Sequence, residues 1–499
     1  MCPTAAFQPT PTTNPFDALG LSQRFAALPA GLHHAVDADP VPDPVLLHFN
    51  RTVAQLIGLD PQAGQHELAA HYLSGNRLLP GSQPLASLYA GHQFGHFVSR
   101  LGDGRALLLG DVPGMHDERW ELQLKGSGRT PYSRGGDGRA VLRSSLREYL
   151  CSEAMAGLGI PTTRALSLVA SPLPVWRETQ ETAAIVLRVS PSFVRFGHFE
   201  AMYAHRQPDA LRELADFMLR HHFPHWIDLP DRYERLLAET TRRTATLLAH
   251  WQAAGFTHGV MNTDNMSMLG LTLDYGPFGF MDHYEPGFVC NHSDESGRYA
   301  FDQQPDVAGW NLTRLAQALS PLISEEAGIA AISEYPARFA GAYIQRMSAR
   351  LGLPAQREHA RLILSMLELL HANQVDYTTF LRRLCHFDST PAAPNAPLRD
   401  LFIDRAAFDA WADDYRAALR QTAPDDAQRS RAMLRVNPKY ILRNHLAEQI
   451  IAAVRDHGDT HMLDAMVTVL QAPFDEHPQY EHWADPPPPG SQVMLSCSS

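Results

Sequence analysis

ELQLKGSGRTPYSRGGDGRAVLRSSLREYL, residues 121–150, decides the fold, because its three parts differ in character and stand in an informative order. From Trp120 to Lys125 apolar and polar residues alternate, the two-residue period of a strand. Lys125 therefore shares a face with Glu121 and Gln123, while Trp120, Leu122 and Leu124 turn toward a core. Gly126 to Gly138 is a Gly/Ser/Arg-rich loop. A helix is expected from about Arg139 to Leu158, stopping at Gly159-Ile160-Pro161, and it carries the carboxylates Glu148 and Glu153. The lysine that ends the strand is a rare residue here: of 42 basic residues only Lys125 and Lys439 are lysine. An ammonium is a compact point charge and a guanidinium a planar fork, so a lysine in such a chain marks a place where the fork does not serve.

Upstream, Phe97 to Leu101, a Gly-Asp-Gly turn at Gly102 to Gly104 and Ala106 to Leu109 read as a glycine-turned hairpin. Downstream, the apolar runs Ala165 to Ala170 and Ala183 to Val189 extend a mostly antiparallel sheet. Beyond about residue 205 the pattern is helical, at Tyr233 to Ala254, Val307 to Leu319, Gln356 to Leu370 and Leu442 to Asp456, interrupted by a hairpin-like stretch from Met266 to Leu273. The expected organisation is an α+β, bilobal chain. Residues 1–80 form an N-terminal extension with Pro-rich stretches and a short helix near Leu46 to Leu56; 81–204 form a sheet lobe; 205–456 form a helical lobe; and 457–499 form a C-terminal extension with an extended, mobile tail.

Composition narrows the function. A chain of 499 residues with 44% hydrophobic and 19% charged residues can bury a large core, and no run reaches the roughly 18 apolar residues of a membrane span. The opening MCPTAAFQPTPTTNPF lacks the order of a secretory or transit signal, so a cytoplasmic location is expected. A formal charge of -12 argues against a nucleic-acid partner. Cys2, Cys151, Cys290, Cys385 and Cys497 show no CxxC spacing. His92 with His96, and His221, His222 and His225, have helix-like spacing, but no carboxylate or cysteine completes a zinc set beside them. Arg134, Arg139 and Arg143 form a basic cluster that either contacts phosphates or solvates a loop and helix face.

The second half supplies the matching chemistry: His258-Gly259-Val260-Met261-Asn262-Thr263-Asp264-Asn265, then Leu273-Asp274-Tyr275-Gly276. A glycine turn, a lysine-ended strand, a helix with a carboxylate and these two loops resemble, in order, the parts of a protein kinase. Asn265 and Asp274 fall where kinases hold Mg²⁺ or Mn²⁺, hard ions that take one or two protein oxygens and several phosphate oxygens. Each motif alone is commonly just a turn; the ordered set carries the reading. One position departs from it. Where a kinase has the aspartate that accepts the substrate proton stands Val260, and the nearby carboxylate is Asp264. That displacement fits either altered chemistry or a dead kinase.

Glu121 to Leu150, YAGHQFGHF (Tyr89 to Phe97), HGVMNTDNMSMLGLTLDYGPFGFMD (His258 to Asp282) and the terminal Ser-Cys-Ser-Ser resemble the selenoprotein O family, and the likeness runs from about residue 45 to the end. The chain is identified as a bacterial, cysteine-containing member. The resemblance implies a kinase-like fold that binds ATP in a flipped orientation with Mg²⁺ or Mn²⁺. It also implies a nucleotidyltransferase that adenylylates Ser, Thr or Tyr of proteins, itself included, with UMP transfer from UTP and manganese as a related reaction. Carried over by motif, Lys125 and Glu148 form the ion pair that holds phosphates, Asp264 is the proton acceptor, and Asn265 and Asp274 are metal ligands. Gly102, Gly104, Arg105, Asp137, Gly138, Arg188 and Arg195 complete the nucleotide site. Cys497 stands where some members carry selenocysteine, and Cys290 lies in the activation-loop segment, so an exposed, reversible redox bridge between them is expected. The rivals are a conventional kinase, which Val260 disfavours, and a nucleotide-binding pseudoenzyme with a redox-sensing role, which has no need of Asn265 and Asp274.

Overall fold

The computed structural model describes residues 14–115, 118–422, 425–491, 493, 495 and 496. The first half builds a sheet from β1 (His33–Ala35), β2 (Val45–Phe49), β3 (Leu85–Ser87), β6 (Ala106–Pro113), β7 (Arg119–Lys125), β8 (Ala140–Val141), β9 (Arg164–Trp176) and β10 (Gln180–Ser190). A separate hairpin, β4 (Gly91–Gln93) and β5 (His96–Val98), is inserted between β3 and β6. Its strand order is β1-β3-β6-β7-β10-β9-β2, with β8 paired to β10, and every named pairing in it is antiparallel. β7, the strand that ends in Lys125, is central.

Both faces of β7 are buried, for different reasons. Leu122 and Leu124 pack into a core shared with Phe16, Val53, Leu73, Val169 and Leu187. That core is covered by the first 80 residues, including α1 (Arg51–Leu56) and α2 (Ala69–Ser74), which lie over the outer face of the sheet. The opposite face, with Glu121, Gln123 and Lys125, is also buried. It turns toward α3 (Leu142–Gly157), whose buried residues include Ser145, Arg147, Glu148, Ser152 and Glu153. A polar face at this depth is stable only if its groups are paired.

Several local expectations are corrected. The segment near Leu46 to Leu56 is split between β2 and α1, because Val45 to Phe49 pairs with β9 before Asn50 caps the helix through a bond from Val53 N. The helix expected from Arg139 begins at Leu142, since Ala140 and Val141 first pair with Ala184 and Ala183. Gly102 to Gly104 does not turn a hairpin. β6 pairs with β3 and β7, and Leu101 N and Asp103 N donate back to Tyr89 O and Ser87 O. The tight hairpin is β4–β5, turned by Phe94 (φ 50°) and Gly95 (φ 86°), both left-handed as a two-residue turn of this hand requires. Nor does Met266 to Leu273 pair with itself. It forms bridges outward, Ser267 to Arg195 and Thr272 to Thr162.

The second half is largely helical: α4 (Phe196–Ala204), α5 (Pro208–His222), α6 (Arg232–Ala254), α7 (Gln304–Leu319), α8 (Glu325–Ser333) and α9 (Tyr335–Arg350), then further helices including Ala360–Ala372, Asn444–His457 and His461–Gln471. α6 ends at Gly255 (φ 69°), and the chain passes through β11 (Phe256–Thr257), which pairs with β12 (Gly279–Phe280). The loop bearing Asp264 and Asp274 lies between those two strands. The architecture is α+β with a kinase-like division into a sheet region and a helical region. Among the described residues no helix is long and apolar enough to cross a membrane.

Candidate active site

A cleft of about 830 Å³ opens between the sheet and the loop from His258 to Asn265, the catalytic loop of the kinase resemblance. Lys125, Arg188, Arg195, Asp264, Asn265 and Asp274 all line it, as do Gly102, Gly104, Arg105, Asp137 and Gly138 from the glycine segments and the inserted loop. Eleven residues dispersed over more than 170 positions thus meet at one place.

Its floor is a continuous ion network. Lys125 Nζ and Arg188 Nε bond to the two oxygens of Glu148, Lys125 to one and Arg188 to the other. Arg188 also donates to Gln123 Oε1 at 3.1 Å, its cross-strand neighbour, and to Asp274 Oδ1 at 2.7 Å. Arg195 Nη1 donates to Asp274 Oδ2 at 2.5 Å and to the Asp264 carbonyl at 2.9 Å, with its guanidinium 4.8 Å from the Tyr89 ring centroid. Arg188 sits at a register shift between β9 and β10, the kind of bulge that re-aims a side chain beside a site. Glu153, the other carboxylate of α3, is paired elsewhere, with Arg164.

Burial and charge set the ionisation of these groups. Burial alone would raise the pKa of Asp274, but Arg195, Arg188 and Lys125 outweigh it and hold the carboxyl well below its ordinary range. Glu148 is likewise buried and is kept low by Arg188 and Lys125. Lys125 falls to about 8 through burial, which exceeds the pull of a Glu148 that is shared with Arg188. Asp264 moves the other way. Burial pushes it up to about 7, since Arg195 reaches its carbonyl and only Gln93 Nε2, at 3.3 Å, reaches its carboxylate. Its Oδ1 is buried without a hydrogen-bond partner.

The loops are fixed by neighbours the sequence reading left out. His258 Nε2 donates to Leu273 O at 2.9 Å, tying the Asp264 loop to the Asp274 loop, and Trp251 stacks on the same ring. Asp274 is held at φ 59° and Asn265 Nδ2 donates to Val260 O at 3.0 Å. The β4–β5 hairpin docks directly on the catalytic loop: His92 N donates to Thr263 Oγ1 at 2.7 Å, and Phe94 N donates to Asn262 Oδ1 at 3.2 Å. Gly91 permits this approach, because a Cβ there would stand 2.3 Å from Asp264 Oδ1. His92 pairs with Glu200 at 2.6 Å.

At the mouth, Gly102 (φ 111°) lies against Tyr132, where a Cβ would come within 2.6 Å of the ring. Asp137 accepts from both terminal nitrogens of Arg177, at 2.7 and 3.0 Å, and from Arg139 N. Arg177, Arg129 and Arg134 join the lining. Of the basic cluster read in the sequence, Arg143 is paired with Glu181, whereas Arg134 and Arg139 both line the cleft, Arg139 also reaching the carbonyls of Asp39 and Pro40. Tyr89, Gln93, Arg129 and Arg177 are among the lining residues that the sequence did not single out. Of these, Arg177 alone lies outside the motifs Tyr89 to Phe97 and Glu121 to Leu150.

Cys290 is buried beneath the catalytic loop, contrary to the exposed position expected of it. Its Sγ lies 3.5 Å from Thr257 O, and a Cβ on Gly259 would stand 2.6 Å from it. Cys497 lies outside the described residues.

Known proteins resemble this chain throughout. Residues 15–471 match the family described as protein adenylyltransferase SelO. The protein nucleotidyltransferase YdiU of Thiobacillus denitrificans is 56% identical over 484 residues, 97% of this chain and 99% of that protein. Those of Burkholderia vietnamiensis and Myxococcus xanthus are 51% and 50% identical, covering 95% and 96% of this chain and 95% and 99% of their own lengths. The chain therefore belongs to the SelO/YdiU family of nucleotidyltransferases and is a protein adenylyltransferase.

Proposed function

We propose that this cytoplasmic enzyme binds ATP with its terminal phosphates on the cationic floor and transfers AMP to Ser, Thr or Tyr hydroxyls of proteins, including its own. The observation that carries this reading is the composition of the floor. Lys125, Arg188 and Arg195 converge there around Glu148 and Asp274. An adenine ring calls for an apolar slot, whereas buried guanidinium forks suit phosphate oxygens. Phosphates lodged deep leave the α-phosphate toward Asp264.

The residues fit a divalent cation. Asp274 and Asn265 both line the cleft, and the Asn265 amide nitrogen is committed to Val260 O, so its oxygen is the donor left for an ion. Each Asp274 oxygen has a second lone pair beyond the one taken by an arginine. A bound Mg²⁺ or Mn²⁺ supplies charge neutralisation on the phosphate oxygens. The protein's own step belongs to Asp264. The target hydroxyl oxygen bonds to the α-phosphorus, its proton passes to the Asp264 carboxylate, and the bond to the bridging oxygen breaks to release pyrophosphate. A carboxyl near 7 with an unpartnered oxygen is suited to accept that proton.

Incubation with ATP labelled at either the α or the γ phosphate tests the reading. Label in protein from the α position, with an AMP-sized mass increment, is the expected result. Incorporation from the γ position alone restores the conventional kinase, and incorporation from neither with intact nucleotide binding restores the pseudoenzyme.

A further inference from the structure

Outside the cleft, and sharing no lining residue with it, lies a second cavity of about 250 Å³. It forms where Leu158 and Ile160, just past α3, meet the last turn of α6, the C-terminal half of α9 and Phe474. Its walls are mostly apolar, and among the described residues no aspartate or glutamate lines it.

Two arginines do line it. Arg346 and Arg350 stand one turn apart on α9 and so share a face. Arg346 donates from Nη2 to His250 Nε2, a neutral partner, while its Nε is buried with no hydrogen-bond partner. Arg350 is 5% exposed; its Nε donates to Asn437 Oδ1 at 2.8 Å and its guanidinium lies 5.3 Å from the Tyr377 ring centroid, again neutral groups. Burial lowers the pKa of Arg346, and no carboxylate acts to raise it. Arg188, Arg195 and Arg443, by contrast, are compensated, by Glu148, Asp274 and Asp376 respectively. Arg350 is buried and Arg346 half-buried, its Nε fully so; a cation removed from water without a counter-charge is costly, and an anion entering here offsets that cost.

The walls select the rest of the ligand. A free phosphate is strongly hydrated and gains nothing from Leu158, Ile160, Ala253, Ala254, Ile441 and Phe474, whereas an alkyl or aryl body does. The volume falls just below the roughly 300 Å³ at which small-molecule sites begin, so the ligand is small. A planar carboxylate matches the guanidinium fork. We propose that this cavity is a binding site for a small monocarboxylate with an apolar body, its carboxylate held by Arg346 and Arg350 and its body lying against the α3 and α6 ends.

Calorimetry on the full chain with octanoate tests this, using 1-octanol as the uncharged body and inorganic phosphate as the bodiless charge. Octanoate is expected to bind at one saturable site, at least tenfold more tightly than either comparison, and equally well in saturating ATP. Arg346→Met, which keeps the volume and removes the charge, is expected to weaken it at least tenfold. Equal binding by octanol or phosphate, an unaffected Arg346→Met, or displacement by ATP overturns the assignment. Should Arg346→Met fail to fold, butanedione modification of the wild-type chain followed by peptide mapping decides the matter. Octanoate must slow labelling of Arg346 severalfold; labelling at an unchanged rate rejects the site.

Discussion

The floor of the cleft and the catalytic loop each present a carboxylate, and the two are treated oppositely. Asp274, with 24% of its side chain exposed, has both oxygens taken by arginines and is kept strongly acidic. Asp264 is buried, has one weak side-chain donor among the described residues and rises to about 7. Burial alone pushes both upward, so the difference lies in where the guanidinium groups point. Arg195 makes the choice visible: a single nitrogen donates to the carboxylate of Asp274 but to the backbone carbonyl of Asp264. One residue type, ten positions apart, is thereby held as a fixed charge at one place and as a carboxyl that takes up a proton near neutrality at the other.

Removing the fixed charge is expected to do the most damage. Asp274→Ala should leave no detectable transfer and no metal-dependent ATP binding. It also strands Arg188 and Arg195, whose side chains are 4% and 2% exposed. Breaking a buried pair costs about 3–5 kcal/mol, so a lowered melting temperature should accompany the lost activity. Thermal unfolding and a label-transfer assay read the two effects separately; near-normal transfer would remove Asp274 from the metal site.

The proton acceptor should behave differently. Asp264→Asn is expected to lower transfer by about 10²–10⁴ while ATP affinity stays within a few-fold, as for a group used only in the chemical step. The wild-type rate should fall about tenfold per unit as pH drops below about 7, because the protonated carboxyl cannot accept a proton, and the mutant should lose that slope. Stability runs the other way. With its folded pKa raised, Asp264 contributes stability that is full below the unfolded value near 4 and is lost as pH climbs through about 7. At pH 8 the asparagine variant should therefore melt no lower than wild type. A mutant that loses nucleotide binding, with its rate per bound ATP unchanged, would make Asp264 a metal ligand instead.

Lys125 comes next. Lys125→Arg should reduce transfer on the order of 10²–10³. Glu148 already accepts one guanidinium from Arg188, and a second fork in the place of a compact ammonium does not fit the same pair of oxygens. Steady-state kinetics of self-modification provide the check. Turnover close to wild type would mean that the chain's arginine bias spares this lysine for another reason.

What was legible in the sequence followed from periodicity and order. β7 ends in Lys125 as its alternation required, and α3 brings Glu148 to it. The errors arose where tertiary pairing overrode local pattern. Gly102 to Gly104 has the composition of a hairpin turn, but Leu101 and Asp103 bond back to Tyr89 and Ser87 because the β4–β5 insertion separates β5 from β6. Alternation in β7 correctly separated two faces but could not reveal that residues 14–80 would cover the outer one. Gln93 escaped notice for a related reason: nothing local links it to Asp264, 171 residues away.

The smallest expected effect concerns how the catalytic loop is held from below. Cys290 Sγ faces Thr257 O, and Asn291 Nδ2 donates to Gly259 O at 3.0 Å, so this segment supports the loop that carries Asp264. The tail reaches the same place: His292 N donates to Leu495 O at 2.8 Å, and Leu495 is buried, so this part of the tail is docked, not loose as its composition implied. Cys497 follows two residues later in the sequence. We propose that an oxidant such as a disulfide or peroxide takes two electrons from the thiols, each losing its proton, to join Cys290 and Cys497. Because Cys290 is buried, reduction should be slow, which separates this bridge from an exposed, labile one. Joining the tail to the loop's support should change transfer by a few-fold, well short of the losses expected at Asp274, Asp264 or Lys125. Non-reducing peptide mapping and transfer assays before and after dithiol, on wild type and Cys497→Ser, read this out. Absence of the cross-linked peptide from oxidised protein ends the idea, as does a dithiol response equal in both chains.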